Sequence, residues 1–183
     1  MRRRFFRSEK GFSLVELLIV IGIIGILATI VIMNMRGSET GAKETKLKAN
    51  LNILRQALVA YHSDHGFFPC TTNDHNSSGS EFTFVHQLTW YTNAEGKPSQ
   101  TKDEEYRFGP YIQEFPANPF FEGADTDVAT KVQIDVKGED ILEALKKKVA
   151  SGNGKSGWYF QARSGNVVAN LGSDEFSDKY VYF

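Results

Sequence analysis

One carboxylate, Glu16, stands at the start of a long apolar stretch. Residues 17–33 read LLIVIGIIGILATIVIM, and Thr29 is the only polar residue among these 17. A helix from Phe12 to Met33 contains 22 residues and is about 33 Å long at roughly 1.5 Å per residue. This length matches the ~30 Å hydrocarbon core of a bilayer and predicts one membrane span.

An ionised acid inside such a span is unfavourable by roughly 2.5–3.5 kcal/mol on insertion scales. An acidic residue at that depth is therefore a functional candidate by default. The alternative is that Glu16 lies at the membrane interface and extends its carboxylate into water. Hydropathy alone is consistent with both interpretations.

A second group of acids lies near the carboxyl end. Residues 170–178 read NLGSDEFSD, in which three acids lie among oxygen-bearing side chains. Hard cations such as calcium bind about six to eight oxygen ligands, which acids and backbone carbonyls together can supply. The alternative is a solvated acidic turn, and no EF-hand pattern is present.

The sequence carries no recognisable catalytic motif. It lacks the Gly-x-Ser-x-Gly, His-Glu-x-x-His, phosphate-loop and dinucleotide-binding patterns. Cys70 is the only cysteine, so it forms no disulfide within the chain, and no neighbouring residue marks its thiol as activated. Asn76 lies in an Asn-x-Ser glycosylation acceptor preceded by Asp74, a pattern that also arises by chance. We therefore expect no enzyme. No cofactor is certain from the residues, and calcium is the candidate.

Charge is distributed unevenly along the chain. Lys and Arg total 21 and Asp and Glu total 22, and this net charge of -1 excludes a generally basic nucleic-acid-binding surface. Residues 1–11 hold five basic residues and one acidic residue, so they carry +4 and residues 12–183 carry −5. The positive-inside rule places residues 1–11 in the cytoplasm and the residues after Arg36 across the membrane. A secretory signal peptide also begins with basic residues, but its apolar region is shorter and a small-x-small cleavage site follows it.

Apolar residues recur at helical spacing after the apolar stretch. Steps of 4, 3, 4 and 3 residues separate the five members of this seam, which are Leu47, Leu51, Leu54, Leu58 and Tyr61. The spacing predicts an amphipathic helix over residues 36–65 that ends before Gly66. If the span continues into this helix, the two halves form one rod of about 75 Å. Gly37 and Gly41 permit the alternative of a break and a separate helix in a soluble domain.

The residues after the helix predict a globular head and an α+β fold. We expect a short helix or strand at 84–90, an irregular proline-punctuated loop at 108–120, a strand at 128–136, a short helix at 139–150, and a hairpin with strands 158–163 and 166–170. The hairpin turn is Ser164-Gly165. A small antiparallel sheet that packs across the helix seam would bury the apolar faces of both elements.

Residues 10–20, KGFSLVELLIV, resemble the leader junction of type IV prepilins and type II secretion pseudopilins. The shared features are a short basic leader, a glycine, a phenylalanine, a glutamate as the fifth residue of the mature chain, and a long apolar helix. Tyr61, Asp64 and Pro69 also match the Tyr-x-x-Asp-x-x-x-x-Pro pattern at the end of the pseudopilin helix. One feature departs from the family, because many pilins have a proline near the outer end of the span, where this chain has Met33 and Asn34.

The resemblance implies that a prepilin peptidase cleaves after Gly11 and methylates the new amino terminus at Phe12. It also implies that Glu16 of an incoming subunit pairs with the Phe12 ammonium of its neighbour. Opposite charges attract far more strongly in a layer of low dielectric constant than in water, so an unpaired Glu16 favours correct registration. Removal of one partner from such a buried pair is expected to cost about 3–5 kcal/mol.

The resemblance further implies a domain order and a set of partners. The domains are a cytoplasmic leader (1–11), a transmembrane and filament-core helix (12–35), an amphipathic helix (36–65) and a globular head (66–183). The partners are other copies of the chain, the prepilin peptidase, minor pseudopilins and the inner-membrane assembly platform. We expect no nucleic-acid partner. The implied location is the bacterial inner membrane, with the head in the periplasm, before assembly into a periplasmic or surface filament.

Major pseudopilins hold calcium in a late loop, and Asp174 and Asp178 are the matching candidates for that site. The helix-end pattern and the lack of a disulfide loop favour a type II secretion pseudopilin of the major kind. The alternatives are a type IV pilus pilin for adhesion, motility or DNA uptake, and a binding protein or enzyme anchored by a single span.

Overall fold

The computed structural model describes residues 13–70, 80–121, 126–138 and 156–171, together with positions 141, 143 and 183. Within residues 30–38 it describes only the backbone. The chain divides into two compact units, Met1–Ala42 and Lys43–Phe183.

One helix, α1, extends from Leu14 to His65 without a break and contains 52 residues. The next residue, Gly66, terminates the helix. Its φ is +78°, and its N–H donates to the His62 carbonyl at 2.8 Å. This left-handed conformation closes the last helical turn, and glycine adopts it because it lacks a Cβ. Gly37 and Gly41 both lie within α1.

The apolar seam of α1 forms the centre of the core in the second unit. The five seam residues, Leu47 to Tyr61, are each 0–1% exposed. The same cluster contains the buried side chains Phe84, Leu88, Trp158 and Phe160. Full burial of a large apolar side chain contributes roughly 1.5–3 kcal/mol, so the seam is a major source of stability. The predicted amphipathic helix is confirmed.

Two small sheets complete the head. Strands β1 (Tyr91–Thr92) and β2 (Pro98–Ser99) form an antiparallel pair. Strands β3 (Val132–Asp135), β4 (Trp158–Gln161) and β5 (Asn166–Ala169) form a second sheet in the order β3-β4-β5. The β4–β5 pair is antiparallel, which confirms the predicted hairpin and the α+β class. The β3–β4 pair is parallel, which the sequence pattern did not predict.

The head also has two short helices. Helix α2 (Glu81–Thr89) precedes β1 in the chain, and helix α3 (Thr126–Thr130) precedes β3. The prediction for 84–90 left helix and strand open, and the structure shows a helix. The strand predicted over 128–136 is wrong at its start, because it begins at Val132. The carbonyls of Val128 and Ala129 instead accept hydrogen bonds from the Gly157 and Asn118 N–H groups, at 2.7 and 2.9 Å.

Residues 108–120 have the irregular conformation that their prolines predict. Ile112 and Phe115 from this segment are buried in the core. The Asn50 side chain on α1 donates to the Ala117 carbonyl at 2.9 Å. The loop is therefore confirmed as packed on the helix. Of the helix expected over 139–150, the described residues are Ile141 and Glu143, both helical.

Candidate functional site

The first unit presents an apolar helical surface. Every residue from 13 to 29 is exposed in the isolated chain. Its large aliphatic side chains are 45–77% exposed, and they are Leu14, Val15, Leu17, Leu18, Ile19, Val20, Ile21, Ile23, Ile24, Ile26 and Leu27. A helix that is apolar on all sides is stable when lipid or other apolar helices surround it, and an exposed patch of this size marks an interaction site.

Glu16 lies in the first turn of α1, within this apolar surface. It is exposed, and it is the only charged residue in the sequence between 13 and 29. An acid near a helix N-terminus is stabilised by the unpaired backbone N–H groups of the first turn. Because the Glu16 side chain is exposed, its carboxylate is accessible to a partner that carries a positive charge. The other residues predicted to act in processing, assembly or metal binding lie outside the described residues. They are Gly11, Phe12, Asp174 and Asp178.

The apolar helix contains two glycines and one hydroxyl group. A Cβ added at Gly22 or Gly25 would meet no atom within 4 Å. The Thr29 hydroxyl donates to the Gly25 carbonyl at 3.0 Å, so this polar group is satisfied within the helix. A search of the described residues for a helix both long enough and apolar enough to cross a membrane finds none. The span over 12–35 stays a prediction.

The other end of α1 carries a cluster of polar side chains that the sequence did not predict. His65 Nε2 lies 2.9 Å from the Thr92 hydroxyl and 3.1 Å from the Tyr111 hydroxyl. The Tyr111 hydroxyl donates to Asp64 at 3.0 Å. Asp64 and Tyr61 were singled out through the helix-end pattern, and Tyr61 is fully buried. Burial raises the pKa of the Tyr61 phenol, which keeps it neutral.

No metal-binding group of three or more His, Cys, Asp or Glu side chains occurs within the described part of the chain. Because the candidate calcium ligands Asp174 and Asp178 are not described, that site stays a prediction. The glycosylation acceptor Asn76 also lies outside the described residues. Cys70 is buried, and its thiol donates to the Ser80 carbonyl at 3.4 Å. This environment is that of a packed thiol.

Comparison with known proteins identifies the family. Residues 6–32 match the Prokaryotic N-terminal methylation motif family. The Type II secretion system core protein G of Vibrio cholerae is 30% identical over 114 residues, which cover 62% of this chain and 67% of the relative. The Escherichia coli protein of the same name is 32% identical over 113 residues, 62% of this chain and 68% of the relative.

A second kind of relative matches a shorter part of the chain. The Type IV major pilin protein PilA of Myxococcus xanthus is 41% identical over 61 residues, which cover 33% of this chain and 28% of the relative. No solved structure matches the chain. Since the longer matches reach two thirds of their relatives, the chain belongs to the family of the type II secretion system core protein G, the pseudopilins of that system.

Proposed function

We propose that this protein is a structural subunit, without enzymatic activity, of the filament of a type II secretion system. The observation that carries the proposal is the exposed apolar helix with Glu16 in its first turn. A helix apolar on all sides requires lipid while the subunit is stored and neighbouring helices once it has polymerised. Both requirements are met by a membrane-stored subunit that assembles through its amino-terminal helix.

In this proposal, hydrolysis of the Gly11–Phe12 peptide bond by a prepilin peptidase creates a new α-ammonium group at Phe12. The family match over residues 6–32 includes both sides of this bond and Glu16. The Phe12 ammonium of one subunit then pairs with Glu16 of the next. Because this pair forms in an apolar layer, a subunit in the wrong register leaves a charge unpaired and is disfavoured.

We infer the location and the partners from membership of the pseudopilin family. The basic leader keeps the amino terminus in the cytoplasm, and the head of residues 66–183 lies in the periplasm. The other partners are further copies of the chain, minor pseudopilins and the inner-membrane assembly platform. Calcium bound by Asp174 and Asp178 would neutralise acids in the late loop and order it.

Mass spectrometry of the native amino terminus tests the processing step. We expect the mature chain to begin with a methylated Phe12. An intact Met1 in a chain that still forms filaments would contradict the proposal and would favour a plain membrane anchor. A Gly11→Val variant, which should block cleavage while it leaves the apolar helix unchanged, is the matched control.

Substitution of Glu16 tests the assembly step. We expect Glu16→Gln and Glu16→Ala to insert into the membrane normally and to lower the yield of filaments by more than about 100-fold, because loss of one partner leaves the Phe12 charge unpaired. Glu104→Ala removes an exposed acid of the head and should leave the yield unchanged. Wild-type filament levels in both Glu16 variants would contradict the pairing mechanism.

The match to the pilin of Myxococcus xanthus favours one alternative, a type IV pilus subunit. This match covers a third of the chain, and the two core protein G matches above each cover 62% of it, so secretion is the preferred function. Deletion of the gene distinguishes the two. Loss of secreted proteins from the medium supports the pseudopilin, and loss of surface fibres with normal secretion supports the pilin.

A further inference from the structure

His65, the last residue of α1, connects three separate parts of the head. Its half-buried ring lies 4.2 Å from the Tyr61 ring on α1 and 5.0 Å from the Phe108 ring in the following loop, measured between centroids. Its Nε2 lies 2.9 Å from the Thr92 hydroxyl on β1. Its Nδ1 lies 3.5 Å from the Ala94 carbonyl in the turn between β1 and β2. One side chain therefore joins α1, the β1–β2 hairpin and the loop.

The surrounding hydrogen bonds suit a neutral imidazole. The Tyr111 hydroxyl lies 3.1 Å from Nε2 but donates its proton to Asp64. The Thr92 hydroxyl is thus the donor available to Nε2, and an Nδ1–H faces the Ala94 carbonyl. Thr92 is fully buried, so water does not replace this bond when it is lost.

Protonation changes this arrangement. Once Nε2 carries a proton it no longer accepts from Thr92, whose hydroxyl is left with the Tyr111 oxygen as its acceptor. The imidazolium then lies among aromatic rings, where burial disfavours charge. The titratable and charged groups of the packed elements are Tyr61 and Asp64 on α1, Tyr111 and Arg107 in the loop, and the exposed Glu95 and Lys97 on the hairpin.

Burial is the largest influence on the His65 ring, and it lowers the pKa below the ordinary 6.5. The Ala94 carbonyl and the Asp64 charge act in the opposite direction and do not cancel it. An opened head, in which the ring meets water, binds the proton more readily than the closed head does. The contribution of His65 to stability is therefore present above about pH 6.5 and is lost as the pH falls through the lower pKa of the closed state.

The hairpin, residues 91–99, is a short element of the head. Its strands contain two residues each. Besides His65, the bonds that hold it include one from the Gln87 side chain to the Gly96 carbonyl at 2.9 Å and one from the Asn93 amide to the Glu105 carboxylate at 3.2 Å. Backbone bonds also join Thr92 and Phe108. Short elements with few bonds open locally at lower free energy than the core.

We propose that His65 is a pH-sensitive latch that holds the β1–β2 hairpin against the end of α1 when neutral and releases it when protonated. Acidification then changes the surface of the head at residues 91–99, while the four leucines of the α1 seam, Leu47 to Leu58, stay packed. This inference does not depend on the proposed role in secretion.

Hydrogen exchange of the full chain in detergent micelles tests the latch. As the pH falls from about 7.5 to about 5, we expect the amides of Thr92, Asn93 and Gly96 to lose protection below about pH 6.5, after correction for intrinsic exchange. The amides of the α1 seam should keep their protection. His65→Gln, whose side chain does not titrate, should abolish the pH dependence, and His62→Gln, at an exposed histidine on the same helix, should preserve it.

Two outcomes would overturn the latch. One is hairpin protection in the wild type that does not change down to about pH 5, and the other is an equal pH-dependent loss in the wild type and His65→Gln. If His65→Gln does not fold, NMR titration of the wild type decides. Coinciding midpoints for the His65 ring and the hairpin amides support the latch, and different midpoints contradict it.

Discussion

Gly96 occupies a position where both the backbone and the surrounding side chains exclude other residues. Its φ is +80°, and a Cβ built on it would lie 2.4 Å from the Tyr61 hydroxyl oxygen. Tyr61 is fully buried, so its ring is not free to move away. The turn between β1 and β2 therefore approaches the end of the α1 seam as closely as a glycine allows.

Replacement of this glycine should be costly. We expect Gly96→Ala to lower the free energy of unfolding by about 2–4 kcal/mol, since it combines a strained φ with overpacking. Gly41→Ala is the matched control, because a Cβ at Gly41 meets nothing within 4 Å and lies in a helix. That control should be neutral or stabilising by about 0.5–1 kcal/mol. Urea unfolding in detergent measures both, and equal effects would contradict the steric argument.

Asp135 stabilises the turn after β3 through its carboxylate. It accepts hydrogen bonds from the N–H groups of Lys137 and Gly138, at 2.8 and 3.3 Å, and from the Gln161 amide at 3.4 Å. Burial alone would raise the pKa of Asp135, but these bonds favour the ionised form and hold the pKa below its usual 3.8. The resulting stability is present above pH 3.8 and is lost as the pH falls through the lower folded-state pKa.

We expect Asp135→Asn to lower the free energy of unfolding by about 1–2 kcal/mol at neutral pH, because charge-assisted bonds become neutral ones. The difference from the wild type should shrink as the pH falls from neutral to well below 3.8, because the wild-type carboxyl then becomes protonated. Urea unfolding at both pH values measures it. A difference of the same size at both would show that charge is not the cause.

At the scale of elements, α1 has two faces in the head with opposite roles. Leu51, on the seam, is fully buried, whereas Ile53, two residues further on, is 46% exposed. Leu51→Ala should lower the free energy of unfolding by about 2–5 kcal/mol, because it leaves a cavity in the core. Ile53→Ala should change it by less than about 1 kcal/mol. Denaturation curves of the two variants give the comparison, and similar losses would refute the assignment of the seam.

Patterns among residues that are close together in the sequence predicted two elements. The helical spacing of the seam residues predicted α1, and the Ser164-Gly165 turn predicted the β4–β5 hairpin. The cluster at His65 did not, because its partners Thr92 and Tyr111 are 27 and 46 residues away and no local pattern relates them. Glu16 was predicted as a candidate because a lone charge in an apolar stretch is visible without any contact.

At the scale of the whole molecule, the two units differ in the exposure of their apolar side chains. Every member of the core cluster lies between Leu47 and Ala169, within the second unit. The eleven exposed aliphatic side chains of the helix start lie between Leu14 and Leu27, within the first. Among the described residues, the buried core thus lies in the second unit, and the first presents an apolar surface of the kind that marks an interaction site.

This division predicts the behaviour of a fragment that begins at Lys43. Residues 43–183 should fold without detergent, remain monomeric, and unfold cooperatively, because the truncation removes none of the buried cluster. The full chain should aggregate without detergent, because its apolar helix remains exposed. Light scattering after gel filtration and thermal circular dichroism test both statements. An unfolded or aggregated fragment would show that residues before 43 contribute to the core of the head, and a soluble monomeric full chain would show that the apolar helix start is covered within one molecule.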